Sequence, residues 1–492
     1  MLEDEIYRTS TQYRLWSFTP ASLTSVRENT NAVAAERVRA AIRRAREEKR
    51  AKDGQQQQAI SGSGAPNAGS GGGGGSGGEK DIECLTVEEE LELVRYYCEK
   101  LMELADTYQP PIPTAVRATA IQYLRRFYLT NSPMSYHPKS IMSSALFLAT
   151  KTDNYYMSLR SFVEKIPNCT SEDVLAPEFL LTQGLRFTFD VRHPFPGLEG
   201  GIMELNAIAQ GSGAAGPHFP HHSPADLQRG IQALPPPPPS SSSTTDGSGA
   251  AKPISPTTRL AKAHHTTREI LKTAAQLTDT YFLHTPAQIW LAALTLADKP
   301  LADFYLDVKL GLFPPTTTNP PPPPSSSSPS TIQGPTPQQA LKILRSKLST
   351  VLTSCATLLQ TYQTTQHTPE SDTQAKMKNL KRIGKKLYHC QNPEKLDLVG
   401  LNRAQKREGS AAGTATPVGG GGGDGATPVV ASSTTGAGGG GGEAAGAGEE
   451  AELLRVAKKR KLEREKWKRE TKGLFGGELV KEKGTKGGDV GE

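Results

Sequence analysis

Two stretches of this chain repeat one another, and an internal repeat of this kind limits the folds that the chain can adopt. "TAIQYLRRFYL" at 119–129 aligns with "TAAQLTDTYFL" at 273–283, and after a spacer "PKSIMSSALFLATK" at 138–151 aligns with "PAQIWLAALTLADK" at 286–299. In each copy the second segment is apolar nearly all round, and a helix without a polar face must be buried. The repeat therefore predicts two copies of one helical bundle, each built around a buried central helix.

Helical periodicity also dominates the segments around the repeat, whereas the alternation typical of β-strands is scarce. A segment at 87–108 opens with acidic residues, which are favoured in the first turn of a helix, and it carries apolar residues at helical spacing. The same period predicts further helices at 158–166, 176–189, 257–283, 337–362 and 368–390. We therefore predict an all-α fold, with five helices in the first bundle.

Runs of Gly, Pro and Ser separate the helical segments, and such runs cannot bury a core. They predict disordered linkers, inserts and a tail. The resulting domain boundaries are an N-terminal arm and helix at 1–53, a disordered linker at 54–80, a first bundle at 81–192, a second bundle at 193–367 with disordered inserts at 211–256 and 314–336, a C-terminal helix at 368–392, and a disordered basic tail at 393–492.

The charge distribution argues against a nucleic-acid surface on the first bundle. The whole chain has a net charge of +7, but residues 81–200 contain eleven Lys and Arg against sixteen Asp and Glu. A protein that binds nucleic acid presents a basic face instead. No direct contact with nucleic acid is expected.

Cysteine spacing and hydropathy argue against a zinc-binding, secreted or membrane-spanning protein. The five cysteines form no CxxC pair, so no zinc ribbon is predicted, and their odd number and wide spacing favour a reducing intracellular compartment. The first residues include no apolar segment typical of a signal peptide. No run of 18 apolar residues is present, so no membrane span is expected.

Several segments resemble the cyclin family, in particular its cyclin H branch. They are "TQYRLWSFT" (11–19), "RRFYLTNSPMSYHPKSIMSSALFLATKTDN" (125–154), "APEFLLTQGLRFTFDVRHPFPGLEG" (176–200), "LTDTYFLHTPAQIWLAAL" (277–294) and "NLKRIGKKLYHCQNPEKL" (379–396). The resemblance covers most of residues 11–396 apart from the inserts. It implies two tandem five-helix cyclin folds with flanking N- and C-terminal helices, the first near 22–52 and the second near 368–392.

The resemblance also implies a function. Such a chain is a regulatory subunit rather than an enzyme, and it binds and activates the catalytic subunit of a cyclin-dependent kinase, the CDK-activating kinase of TFIIH. The implied partners are that kinase, an assembly factor and the TFIIH core. The implied substrates are other cyclin-dependent kinases and the C-terminal tail of RNA polymerase II, which connects the chain to the cell cycle and to transcription in the nucleus. No cofactor is implied.

Four residues carry the family's kinase contacts by resemblance. A lysine at the end of the third helix and a glutamate at the start of the fifth fall on Lys151 and Glu178, and apolar contacts at the end of the fifth helix fall on Phe187 and Phe189. The family motif after the lysine keeps its acidic residue only in part, as Asp153.

Each of these residues also has a purely structural interpretation. A cation is favoured at a helix C-terminus, and the repeat places Lys299 at the position equivalent to Lys151. Glu178 follows Pro177 and would be favoured in a first helical turn, although the second copy has no counterpart to it. Phe187 and Phe189 would be ordinary core aromatics.

Two other motifs and one competing function complete the interpretation of the sequence. Lys458, Lys459, Arg460 and Lys461 form a dense basic "KKRK" that predicts a nuclear localisation signal, or alternatively a solvated charged helix. His218, His221 and His222 lie in a Pro-rich segment without the rigid scaffold that a metal site needs, so no metal is expected.

A competing function is a double-cyclin-fold transcription factor that binds DNA, similar to TFIIB. The missing CxxC and the acidic first bundle argue against it.

Overall fold

The computed structural model describes residues 3–61, 83–167, 169–214, 223–236, 255–313, 336–366 and 370–392. All regular secondary structure in these residues is helical, which confirms the predicted all-α class. The helices are α1 Glu3–Thr9, α2 Thr11–Trp16, α3 Pro20–Ser61, α4 Val87–Thr107, α5 Thr114–Thr130, α6 Pro138–Thr152, α7 Leu159–Glu164, α8 Ser171–Leu175, α9 Glu178–Gly184, α10 Phe195–Ala209, α11 Pro224–Gln232, α12 Pro256–Lys272, α13 Ala274–Leu277, α14 Thr280–Leu283, α15 Pro286–Ala297, α16 Lys299–Lys309, α17 Pro337–Gln366 and α18 Glu370–Gln391.

The first bundle, α4–α9, is built around α6, as its apolar sequence predicts. Every residue from Ile141 to Thr150 is buried. Two of the buried polar side chains have hydrogen-bond partners, because Ser144 Oγ donates to the Val174 carbonyl at 2.6 Å and Thr150 Oγ1 donates to the Phe147 carbonyl at 2.7 Å. A buried polar group with a partner avoids most of the cost of leaving water.

The last part of this bundle differs from the sequence prediction. A short helix, α8, precedes α9 and begins with a reciprocal capping box between Thr170 and Asp173. Helix α9 ends at Gly184 rather than at 189. A Cβ on Gly184 would lie 2.5 Å from the Phe127 ring, so only glycine permits this close approach to α5.

The second bundle, α10–α17, has its own core around α15. The helix predicted at 257–283 is broken at Thr273 and again at Thr278–Asp279, giving α12, α13 and α14. Helices α10 and α16 were not predicted, and α11 lies inside the segment predicted as a disordered insert. Helix α15 is less completely enclosed than α6, since Ile289 and Trp290 are buried while Leu291 is partly exposed.

An N-terminal arm joins the two bundles. Trp16 and Leu23 pack in one apolar cluster with Leu129 of α5 and Phe282 of α14, which belong to the two copies of the repeat. The Phe18 amide donates to the Phe282 carbonyl at 2.8 Å. The arm therefore fixes the position of each copy relative to the other.

Asp279 is the charged centre of this junction. Arg27 of the arm forms two hydrogen bonds to its carboxylate, at 2.8 and 2.7 Å, and Arg125 of α5 donates to the same group at 2.6 Å. Arg125 also donates to the carbonyls of Gln276 and Thr278. One acidic residue of the second bundle therefore holds cations from the arm and from the first bundle.

The remaining described residues, 37–61, 83–84 and 384–392, belong to a second compact unit. Val38 and Ile42 of α3 and Leu387 and Cys390 of α18 are buried. Lys386 Nζ pairs with Glu83 Oε1 at 2.5 Å. The two flanking helices expected near 22–52 and 368–392 are present as α3 and α18.

A histidine in the bundle junction predicts acid sensitivity. His193 Nε2 lies 2.9 Å from Thr119 Oγ1 and its Nδ1 lies 3.0 Å from Tyr281 Oη. Burial, with a smaller contribution from the Arg126 charge, lowers the pKa of His193 to about 3. Because the unfolded chain binds the proton near pH 6.5 and the folded chain does not, stability is complete above that pH and falls as pH drops toward 3.

We expect His193→Gln to reduce this pH dependence. Glutamine cannot take up a proton, so the part of the slope that comes from His193, at most about 1.4 kcal/mol per pH unit, should disappear between pH 6 and 4. Urea unfolding at several pH values measures it. An unchanged slope in the variant would show that His193 does not control the acid response.

Candidate functional site

Lys151 lies in the last turn of α6. The helix starts with the His137 side chain accepting a hydrogen bond from the Lys139 amide and with Pro138 in its first turn, and it ends at Thr152, with Asp153 as its C-cap. Lys151 Nζ donates to Glu178 Oε1 at 2.5 Å and lies 4.6 Å from the centre of the Phe147 ring. The structure thus brings together the two residues that the sequence singled out as a pair.

The Lys151–Glu178 pair remains accessible to solvent. Glu178 is the first residue of α9, and the side chains of Lys151 and Glu178 are 44% and 20% exposed. An ion pair at this exposure contributes at most about 1 kcal/mol to folding. The gain in folding stability therefore does not by itself explain the pair, and the single hydrogen bond leaves both charged groups with further donor or acceptor capacity.

The second bundle does not repeat this arrangement, and the predicted equivalence of Lys299 is wrong. Helix α15 ends at Ala297, so Lys299 begins α16, where it pairs with Asp303 at 2.6 Å. The reason is Asp298, whose carboxylate accepts a hydrogen bond from the Leu301 amide and so caps the start of α16. A lysine after the same apolar run therefore does not end the second central helix.

The polar pair at the end of α15 is buried instead. Asp298 receives two hydrogen bonds from Arg259, at 2.6 and 2.7 Å, and the two side chains are 2% and 8% exposed. Such a pair is internal to the bundle and reaches no partner. The Arg259–Asp298 pair of the second bundle is therefore structural, whereas the Lys151–Glu178 pair of the first bundle is accessible to a partner.

The two predicted phenylalanines differ from each other. Neither lies on the fifth helix, because α9 ends at Gly184, so that part of the prediction is wrong. Phe187 is 61% exposed. Phe189 is partly buried, its carbonyl accepts a hydrogen bond from Tyr123 Oη at 2.7 Å, and its ring lies edge-on to the Tyr123 ring. Phe187 is thus available for a partner, while Phe189 also serves the fold.

Two further exposed aromatic residues were missed by the sequence analysis. Tyr156, just after α6, is 87% exposed, and Phe179, next to Glu178, is 66% exposed. Together with Phe187 they are three of the four most exposed large apolar side chains in the described residues. Exposed apolar side chains can mark an interaction surface, and these three lie on or just after α6 and α9, the helices that the Lys151–Glu178 pair joins. We call these three aromatics and the Lys151–Glu178 pair the ion-pair surface.

The backbone at Phe187 is strained. Arg186 and Phe187 have φ angles of 52° and 54°, in the left-handed region that bulky residues rarely occupy. Hydrogen bonds from the Arg186 amide to the Gln183 carbonyl and from the Phe187 amide to the Thr182 carbonyl hold this turn. Strain of this kind concentrates at functional sites.

The Tyr123 hydroxyl connects the end of α6 to the segment that follows α9. Its hydroxyl donates to the Phe189 carbonyl and contacts Thr152 Oγ1 at 3.0 Å, next to Lys151. Burial raises the pKa of Tyr123, so the phenol keeps its proton. The end of α6 and the segment after α9 are therefore held at a fixed separation.

The other predicted features lie elsewhere. Lys458, Lys459, Arg460 and Lys461, and also His218, His221 and His222, fall outside the described residues. Within the described ranges no group of three or more His, Cys, Asp or Glu residues is placed to hold a metal ion. None of the helices among the described residues is both long and apolar enough to cross a membrane.

Comparisons with known proteins match the two bundles separately. Residues 89–190 match the family model described as the cyclin N-terminal domain, and residues 193–360 match the cyclin C-terminal domain. The chain is 30% identical over 307 residues to cyclin CCL1 of Saccharomyces cerevisiae, covering 62% of each protein. It is 36% identical over 135 residues to cyclin-H of Xenopus laevis, covering 25% of this chain and 41% of that protein.

A solved structure extends the similarity across both bundles. A chain of the CAK complex from Chaetomium thermophilum, determined with bound ATP-γ-S, is 28% identical, with a TM-score of 0.51. The match covers 85% of this chain and all of that one. The two curated relatives are matched over less than two thirds of their own length.

Proposed function

The chain belongs to the cyclin family, and we propose that it is the regulatory subunit that binds and activates the cyclin-dependent kinase of a CDK-activating kinase, the kinase module of TFIIH. The observation that carries the proposal is the accessible Lys151–Glu178 pair, set among exposed aromatic residues on the first bundle. Similarity to cyclin CCL1, to cyclin-H and to a chain of the CAK complex supports the same choice of partner.

Activation follows from rigidity. The ion-pair surface lies on the last turn of the buried α6, on α9 and on the segments that follow these two helices, so it is formed before the kinase arrives. A mobile kinase segment that docks on it becomes ordered, and the ordering cost is offset by contacts with a preformed surface. Lys151 and Glu178 offer unused donor and acceptor capacity to polar kinase groups, and Phe179 and Phe187 offer apolar area.

The wider role follows from the partner. The chain acts as a non-enzymatic subunit, and the kinase supplies the chemistry on other cyclin-dependent kinases and on the C-terminal tail of RNA polymerase II. An assembly factor and the TFIIH core are the further partners, in the nucleus, with residues 458–461 as the localisation signal. The two cyclin folds occupy 81–192 and 193–367. A DNA-binding role similar to TFIIB is the alternative, and the acidic first bundle disfavours it.

A reconstitution tests the function. The full chain is mixed with the kinase subunit of the Chaetomium thermophilum CAK complex, and phosphorylation of a peptide from the RNA polymerase II tail is followed. We expect a stable complex and an increase in kinase activity of at least tenfold. A chain that neither binds this kinase nor raises its activity would contradict the proposal, and tight, salt-sensitive DNA binding would favour the alternative.

Phe179 gives a sharper test of the surface. Because its side chain is already 66% exposed, Phe179→Ser should leave the free energy of unfolding nearly unchanged. Losing the burial of one phenylalanine at an interface should weaken kinase binding about tenfold or more. Met203→Ser is the matched control, since Met203 is 72% exposed on α10 of the second bundle. Equal affinities for the two variants would contradict the location of the surface.

A further inference from the structure

Trp16 of the N-terminal arm lies directly against the strained turn that presents Phe187. Its indole is 1% exposed, and Nε1 donates to Thr188 Oγ1 at 3.0 Å. The Thr188 hydroxyl in turn donates to the Leu185 carbonyl at 2.7 Å. A single side chain of the arm thus reaches the segment 185–188, which we call the Phe187 turn.

The indole ring also contacts Arg186, the first of the two residues with a left-handed backbone conformation. The guanidinium carbon of Arg186 lies 5.4 Å from the centre of the Trp16 ring, and that of Arg126 lies 5.2 Å from it. A cation is attracted to the face of an indole ring, and the attraction is stronger where water is excluded. Arg126 is buried, so its contact with Trp16 is of this stronger kind. Arg186, at φ 52°, is held by its side chain in a conformation that its backbone disfavours.

A second residue of the same short helix holds the chain just beyond the turn. Gln12 is 1% exposed, and its Oε1 accepts hydrogen bonds from the Arg192 amide at 2.6 Å and from Arg126 at 3.3 Å. Helix α2 therefore contacts both ends of the segment 186–192. It is itself anchored on the bundle junction through the Trp16 cluster.

We propose that Trp16 is a positioning residue for the kinase-binding surface: it holds the Phe187 turn in its left-handed conformation and so keeps the Phe187 side chain presented to the partner. The inference rests on the proposed function for its consequence, because Phe187 matters only if the kinase contacts it. The clamp itself is a property of the free chain. Without Trp16 the strained turn relaxes, and Phe187 is presented for only part of the time.

The test pairs a loss with a specific rescue. Trp16→Leu removes the indole hydrogen bond and both cation contacts, while Arg186→Gly removes the backbone strain that the clamp opposes, since glycine accepts positive φ freely. Trp290→Leu is the matched control, a buried tryptophan of the second bundle that packs on Gly197 and Gly201. Any effect of lost stability alone is common to both tryptophan variants.

Hydrogen exchange in the free chain is the first measurement. In Trp16→Leu the Arg186, Phe187 and Thr188 amides, all hydrogen-bonded in the turn, should exchange at least about tenfold faster. The double variant Trp16→Leu/Arg186→Gly should regain most of the protection, and Trp290→Leu should not change it. Unchanged exchange in Trp16→Leu, or no rescue by Arg186→Gly, would overturn the clamp.

Affinity for the kinase subunit of the Chaetomium thermophilum CAK complex is the second measurement. We expect about tenfold weaker binding for Trp16→Leu, and the double variant should return to within about threefold of the wild-type chain. If Trp16→Leu loosens the turn but binds with unchanged affinity, the positioning role is overturned. If the wild-type chain does not bind this kinase at all, the proposed function fails, and the exchange experiment still decides the clamp.

Discussion

Lys151→Glu should reduce kinase activation by at least about 100-fold, while Lys299→Glu should leave it almost unchanged. The substitution at 151 places a second carboxylate against Glu178, where a 2.5 Å ion pair existed, and offers the kinase a repulsive surface in place of a mixed one. Truncating or reversing one partner of a charge pair that a complex buries costs about 2–5 kcal/mol. Because the pair is partly exposed in the free chain, folding should lose less than about 1 kcal/mol.

Lys299 is the internal control that the repeat supplies. It follows the same apolar run in the second copy, it is exposed, and it forms a comparable ion pair with Asp303. Kinase assays at saturating and limiting amounts of each variant, with circular dichroism to check folding, make the comparison. Equal loss of activation in both variants, or loss of helical signal in Lys151→Glu alone, would assign Lys151 a structural role.

Asp279→Ala should destabilise the chain by about 3 kcal/mol or more. The substitution leaves Arg27 and Arg125 without their shared carboxylate, at side-chain exposures of only 13% and 9%. Removing one member of a buried charge cluster is costly because the remaining charges stay desolvated and unpaired. Asp303→Ala removes an acid that also binds two cations, but Lys299 is 66% exposed and Arg345 keeps its ion pair with Asp307, so the substitution should cost less than about 1 kcal/mol.

The free energy of unfolding in urea measures the difference between the two aspartate variants. Burial raises the pKa of Asp279, but hydrogen bonds from Arg27 and the charge of Arg125 outweigh it, so the net pKa lies below its ordinary value. The stabilisation is therefore present above about pH 4 and lost as pH falls through the lowered pKa. An Asp279→Ala chain as stable as the Asp303→Ala chain would contradict the central place of this cluster in the junction.

The parts of the fold that could be predicted are those that depend on the residue pattern of one short segment. Helix α6 is apolar on every side, so its burial follows from composition and period alone. Lys151 and Glu178 were paired by resemblance, 27 positions apart. The Arg27–Asp279–Arg125 cluster was not predicted, since its members are separated by 98 and 154 positions and no local pattern connects them.

The missed features depend on tertiary contacts. Gly184 is the last residue of α9, and a Cβ there would lie 2.5 Å from the Phe127 ring of another helix, a close approach that no local propensity reveals. Whether Phe179 faces solvent or core depends on how α9 packs on the bundle, whereas the exposure of Phe187 depends on the turn that follows α9. The sequence of both residues is compatible with either outcome. Lys299 was misplaced because Asp298 is drawn into the bundle by Arg259, 39 positions earlier.

Hydrogen exchange on the wild-type chain with and without the kinase subunit of the Chaetomium thermophilum CAK complex tests whether the kinase docks on the ion-pair surface. If the kinase docks on the ion-pair surface, the amides at 151–156 and 178–188 should become protected on binding, and those at 299–303 should not change. A complex that forms with no added protection at 151–156 and 178–188 would contradict docking of the kinase on the ion-pair surface.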